Sequence, residues 1–76
     1  MSGFILVRDI MARNVKTVRT DDSVLSAVKK MIKFNIGSVI VTNNGKPIGI
    51  ITERNILEKV VAPRHDADTL HAKDIM

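Results

Sequence analysis

GSVIVTNNGKPIGIITERNIL, residues Gly37 to Leu57, decides more of the fold than the rest of the chain together. Two apolar runs, SVIV at 38–41 and PIGII at 47–51, flank Asn43-Asn44-Gly45-Lys46, a turn signal that predicts a hairpin. Pro47 has no backbone donor and fits the first residue of the second strand or an edge position. Thr52, a residue type that starts helices, follows at once, with Glu53-Arg54-Asn55 and the apolar pair Ile56-Leu57 behind it. A strand that runs into a helix start places backbone N–H groups and a positive dipole end where phosphate can sit. Thr-x-x-Asn is also close to a capping box, which needs no ligand. Both readings stand for Thr52 and Asn55.

Upstream of the hairpin, Lys16-Thr17-Val18-Arg19 reads as a short strand, and Asp21-Asp22-Ser23 supplies candidate N-caps. Val24, Ala27, Val28, Met31 and Ile32 recur at spacings of three and four, which predicts a helix with one apolar face. Lys29, Lys30 and Lys33 then fall on its solvated face. Asn35 or Gly37 can end that helix, since either tolerates the left-handed conformation. Gly37 reads equally as a point of close approach for a ligand. The run Ser38–Thr42 is almost wholly apolar and predicts a strand that is central or covered on both faces. Downstream, a second helix is expected from Thr52 to about Val61, stopped by Pro63. Arg64 to Asp68 is polar and reads as a linker.

A partial repeat spans the chain: Arg8-Asp9-Ile10-Met11 returns as Lys73-Asp74-Ile75-Met76, 65 residues on. The order is therefore strand, helix, strand, strand, helix, followed by what reads as the lead-in of a second unit. The expected class is α+β, with a three-stranded sheet carrying two helices on one face. Residues 1–76 form one domain in this reading, with its core at 7–61 and a linker and lead-in at 62–76.

Composition narrows the function. Seventy-six residues bury only about 60% of the surface their unfolded chain exposes, so pairing would help. With 45% hydrophobic residues and 3% aromatics the core has to be aliphatic. The chain has no cysteine, which removes disulfides and thiolate metal sites and fits a reducing compartment. The run before Arg8 is too short for a signal or a membrane span, so the cytoplasm is the expected location. A net charge of +4 admits phosphorylated ligands, but the lysines are scattered without interleaved aromatics, which ranks nucleic acid last among partners. His65 and His71 lie in or near the linker, far from any paired metal-ligand spacing. No nucleophile–base set, HExxH or phosphate-loop motif occurs, so neither catalysis nor a metal site is expected.

The element order, the Gly37–Leu57 block and the recurring D-I-M lead-in resemble a cystathionine-β-synthase (CBS) domain over roughly Val7 to Val61. Resemblance to that family implies a regulatory module, paired with a second unit, that binds an adenosine-containing ligand such as AMP, ADP, ATP or S-adenosylmethionine in the cleft between units. It implies no required cofactor. The family signature, a Gly, two apolar residues, Thr or Ser, two variable residues and Asp, matches Gly49 to Asn55. By that resemblance Thr52 meets phosphate, Arg54 adds charge and Asn55 holds the ribose hydroxyls. Lys16, Thr17 and Val18, with Gly37, Ser38 and Ile40, would line the adenine pocket. By its place mid-strand in an apolar run, Ile40 reads first as a core residue. Asn55 departs from the family's Asp. A neutral hydrogen bond is worth about 1 kcal/mol against roughly 1.5–3 with a charged partner. The departure thus lowers affinity about threefold to thirtyfold. One unit has half of a paired architecture, so a homodimer is expected. A dimerisation module of the same fold without ligand is the alternative.

Overall fold

The chain, in a computed structural model that describes residues 15–76, is a small α+β unit built around one three-stranded sheet. The first lead-in, Arg8–Met11, lies outside the described residues. Strands β1 (Thr17–Arg19), β2 (Ser38–Asn43) and β3 (Lys46–Thr52) lie in that order across the sheet. β1 and β2 are parallel, with Thr17 beside Ile40 and Arg19 beside Thr42. A parallel pair needs a crossover, and helix α1 (Val24–Phe34) supplies it.

The hairpin forms as its turn chemistry dictates. Asn44 and Gly45 both hold positive φ, 53° and 79°, the requirement of the two-residue turn that matches strand twist. Both strands run beyond the apolar runs, to Asn43 and from Lys46, and β2 is central. Pairing passes from Val41–Gly49 to Thr42–Pro47, so Ile48 bulges out of the ladder next to the proline that cannot donate to it.

Of the three candidate caps, Ser23 caps α1, its hydroxyl accepting from the Ser26 N–H at 3.0 Å. Asp22 instead holds the turn after β1, its carboxylate accepting from the Arg19 N–H at 2.7 Å. Asn35 closes α1 in the left-handed region at φ 52°. Gly37 is not a helix end, because its φ is not positive. Val24, Ala27 and Met31 are buried as the spacing predicts. Ile32, counted in that stripe, and Lys30, counted on the solvated face, both depart from the expectation. Ile32 is 75% exposed. Lys30 is half-buried, its amine donating to the Thr17 carbonyl at 2.6 Å.

Val18, Val39, Val41 and Ile51 form the inner face of the sheet, and α1 packs on it. After β3, helix α2 (Glu53–Ile56) passes directly into a π-helical turn, Leu57–Val61, marked by the Ala62 N–H reaching back five residues to the Leu57 carbonyl at 2.8 Å. The wider turn aims Val60 into the core and leaves Leu57 and Val61 outside. The opposite sheet face carries Thr17, Ile40 and Ile50 in one cross-strand row.

Buried packing does not stop at Val61. The polar stretch beyond Pro63 runs back along the start of α1, where the Ala67 and Leu70 carbonyls accept from the Leu25 and Val24 N–H groups at 2.9 and 2.8 Å. Two donors that a helix start leaves open are thereby satisfied. Helix α3 (Ala72–Ile75) then sets Ala72 and Ile75 into the core. The 62–76 segment that reads as a linker by composition is thus part of this unit's packing. No described helix is long and apolar enough to cross a membrane.

Candidate functional site

Parallel β1–β2 and antiparallel β2–β3 pairing bring the start of β1, the start of β2 and the end of β3 to one end of the sheet. There the Lys16 carbonyl accepts from the Ile40 N–H at 3.1 Å, Ser38 lies opposite Thr52, and the Gly37 carbonyl accepts from the Glu53 N–H at 3.2 Å. Lys16, Thr17, Gly37, Ser38, Thr52 and Asn55 converge at this end.

Thr52 and Asn55 form a closed capping box. The Asn55 N–H donates to Thr52 Oγ1 at 3.1 Å. In return, Asn55 Oδ1 accepts from the Thr52 N–H at 2.9 Å and from its hydroxyl at 3.0 Å. The threonine proton and the amide oxygen are therefore occupied by each other. With Glu53 tied to Gly37, three of the backbone donors at this helix start are engaged. The Asn55 Nδ2 meets no acceptor among the described residues. The box presents amide donors outward, where an Asp would present a second carboxylate oxygen.

The other nominated residues divide. Val18 is in the core at 3% exposure, so its side chain is excluded from any cleft and only its backbone remains available. Alternation across a strand forces this, since Thr17 faces the other side. Ile40 is half-buried on that other side, between Thr17 and Ile50, and is not part of the core. Arg54 turns along its helix to pair with Glu58 and is almost fully exposed. Lys16 places its amine 4.3 Å from the centre of the Phe34 ring, with Lys33 at 5.4 Å on the same ring.

A second feature escaped the sequence reading. An apolar groove of about 590 Å³ runs between α1 and α2, lined by Val28, Met31 and Ile32 on one wall and Ile56 and Leu57 on the other, with Glu53 at its end. Of the nominated residues it includes only Gly37. Its signal was present in Ile32 at the margin of one apolar stripe and Leu57 at the margin of the next. Among the described residues, no three His, Asp or Glu side chains gather as metal ligands.

The family model of the CBS domain matches residues 7–62. The chain belongs to the CBS domain family. An uncharacterised protein of Methanopyrus kandleri is 37% identical over 73 residues, a match covering 95% of this chain and 37% of that protein. The chain thus spans well under half of this relative's length. Among solved structures, a CBS domain protein fused to a Zn-ribbon-like domain superposes with a TM-score of 0.77 at 31% identity, covering 82% of this chain and 89% of the other. A hexameric CBS-CP12 protein from bloom-forming cyanobacteria superposes at 0.74 with 38% identity, covering 83% and 38%. Among the described residues of this CBS unit, the sheet end with its capping box and the groove between the helices both have chemistry to offer.

Proposed function

We propose that this CBS unit is a non-catalytic regulatory module that takes an adenosine-containing ligand, AMP, ADP, ATP or S-adenosylmethionine, in a cleft between two paired units. The observation that carries this reading is the convergence of Lys16-Thr17, Gly37-Ser38 and Thr52–Asn55 on one end of the sheet. Ile40 and Ile50, with the Thr17 hydroxyl-bearing side chain beside them in the same row, give that end a largely apolar floor suited to a flat base. Pairing as a homodimer completes the cleft. The exposed apolar residues Ile32, Leu57 and Val61 on the helical side favour self-association. Thermal unfolding with each of the four ligands at millimolar concentration tests the reading. A ligand present at 100 times its Kd stabilises by about 2.7 kcal/mol. That raises the Tm of a domain this size by roughly 10–20 °C. No shift with any of the four, on folded and dimeric protein, sinks it.

One observation favours a second reading, a pairing module that holds no ligand. The Thr52 hydroxyl and the Asn55 amide oxygen already satisfy one another. Asn55→Asp separates the two, since a carboxylate keeps the cap with one oxygen and offers the other to a ribose. Binding that arises only in Asn55→Asp marks the natural pocket as degenerate.

A further inference from the structure

We propose that the groove between α1 and α2 takes α1 of a second copy of this chain, that Lys29 of that copy meets Glu53, and that this contact makes the adjoining sheet end a better site for an anionic ligand. The gain in affinity rests on the ligand reading; the pairing stands without it.

The groove is open and lined by described residues. Val28, Met31 and Ile32 face Ile56 and Leu57 across about 590 Å³. Ile32, on its rim, is the most exposed large apolar residue described. Apolar surface gathered along two neighbouring helices in this way marks a docking face.

Charge selects the occupant. α1 carries Lys29, Lys30 and Lys33 and no acid. The Lys30 amine is taken by the Thr17 carbonyl, and Lys33 leans on the Phe34 ring. That leaves Lys29, one turn before Ile32 on the same side of the helix. Across the groove, Glu58 is held by Arg54, whereas Glu53 has no ion-pair partner among the described residues. One wall therefore lacks an anion and the other lacks a cation. A copy related by a two-fold axis supplies both at once. Its Ile32 enters the groove, its Lys29 reaches Glu53, and its own Glu53 receives Lys29 in return.

Glu53 also ties the groove to the sheet end. Its N–H donates to the Gly37 carbonyl, and its carboxyl group lies 3.9 Å from where a Cβ on Gly37 would stand. Gly37 belongs both to the groove lining and to the residues that converge at the sheet end. Glu53 directly follows Thr52, so its charge stands beside the place assigned to phosphate. A lone carboxylate there opposes an anion, and an ammonium group against it removes that opposition. Pairing and anion binding then favour each other, by the same factor in each direction.

Charge reversal in trans tests the contact without ligand. Lys29→Glu and Glu53→Lys chains, each with an unchanged circular-dichroism spectrum, should each pair about tenfold more weakly than the natural chain in sedimentation equilibrium. An equimolar mixture of the two should regain the natural level, because the heterodimer restores both contacts. Single variants that pair as well as the natural chain, or a mixture no stronger than either alone, overturn the pairing. An Ile32→Ser chain, which leaves every charge in place, should be monomeric, and one that still pairs overturns it equally. Calorimetric titration with ATP reads the coupling. The natural chain should bind about fivefold more tightly than Ile32→Ser, and the difference should shrink in high salt. Equal affinity in the two chains overturns the coupling and leaves the ligand reading standing. No binding to either ends the ligand reading and the coupling together.

Discussion

Truncating Ile75 to alanine should cost this small domain about 2–3 kcal/mol of folding stability. Ile75 is 2% exposed and sits in one cluster with Val24, Ala27 and Ile51. Removing a buried isoleucine down to its Cβ typically costs about 2–5 kcal/mol, counting lost burial and the cavity left behind. The lower half of that range applies because a short, four-residue helix can settle into the gap. Stability of about 0.05–0.15 kcal/mol per residue gives this domain roughly 4–11 kcal/mol in total, so the loss is a large fraction. At about 4–8 °C per kcal/mol, Tm should fall by about 8–24 °C. Urea unfolding followed by far-ultraviolet circular dichroism measures it, with the midpoint lowered and the slope unchanged. Val61→Ala is the internal control, since Val61 is 58% exposed and its truncation should stay within about 0.5 kcal/mol. An Ile75→Ala midpoint as close to wild type as the Val61→Ala midpoint would refute the reasoning and return the core's boundary to Val61.

Gly49→Ala should destabilise by roughly 1–3 kcal/mol through overpacking against Met76, and by less in a Met76→Ala background. Strict additivity in that double-mutant cycle would remove the contact as the cause. Thr52→Ala breaks the capping box and should cost about 1 kcal/mol in denaturant unfolding, whereas Thr52→Ser, which keeps the hydroxyl, should be close to neutral. Equal losses in the two variants would count against the box. Leu57→Asp places a charge on the exposed helical face and should convert the expected dimer to monomer by light scattering without lowering helicity. An unchanged mass would move the pairing surface elsewhere. Gly45→Ala, at φ 79°, should cost about 1 kcal/mol with the fold retained, and no measurable cost would mean that the turn relaxes to another type.

Local chemistry was legible in the sequence. Asn44-Gly45 announced the hairpin, Ser23 and Thr52 announced the helix starts, and the spacing from Val24 to Met31 announced a buried stripe. Each of these signals acts over a few residues. The phase of a strand was harder to read: Thr17 and Val18 were both nominated for a pocket, yet neighbours on a strand face opposite sides, and only pairing with Ile40 and Val41 decides which is inside. The spacing places Ile32 in the α1 stripe and Lys30 on its solvated face, and tertiary neighbours override both. A backbone carbonyl of β1 drew the lysine inward, and the open groove left the isoleucine outside. Least legible was the return of residues 67–76 over α1 and β3. Its polar composition signals a linker, while its contacts run mainly through backbone carbonyls and Ala72, which leave no mark in a sequence, and through Ile75, which the repeat flags without saying where it packs. The candidate site was legible as a place more than as a mechanism. The sheet end gathers most of the named residues, but the direction in which Asn55 Oδ1 bonds depends on geometry that a sequence does not carry.

The two outer strands bear on how this protein meets copies of itself. β1 is three residues long, and the half-buried amine of Lys30 binds its Thr17 carbonyl. β3 carries Pro47, which offers no donor, and the irregularity at Ile48 that breaks the regular spacing of its ladder. Neither side therefore provides a long, flat row of donors and acceptors onto which another strand could be added. A long, flat, exposed edge strand is otherwise a template for sheet growth. Among the described residues, the two sheet edges therefore leave side-chain faces, rather than free backbone, as the surface open to another copy.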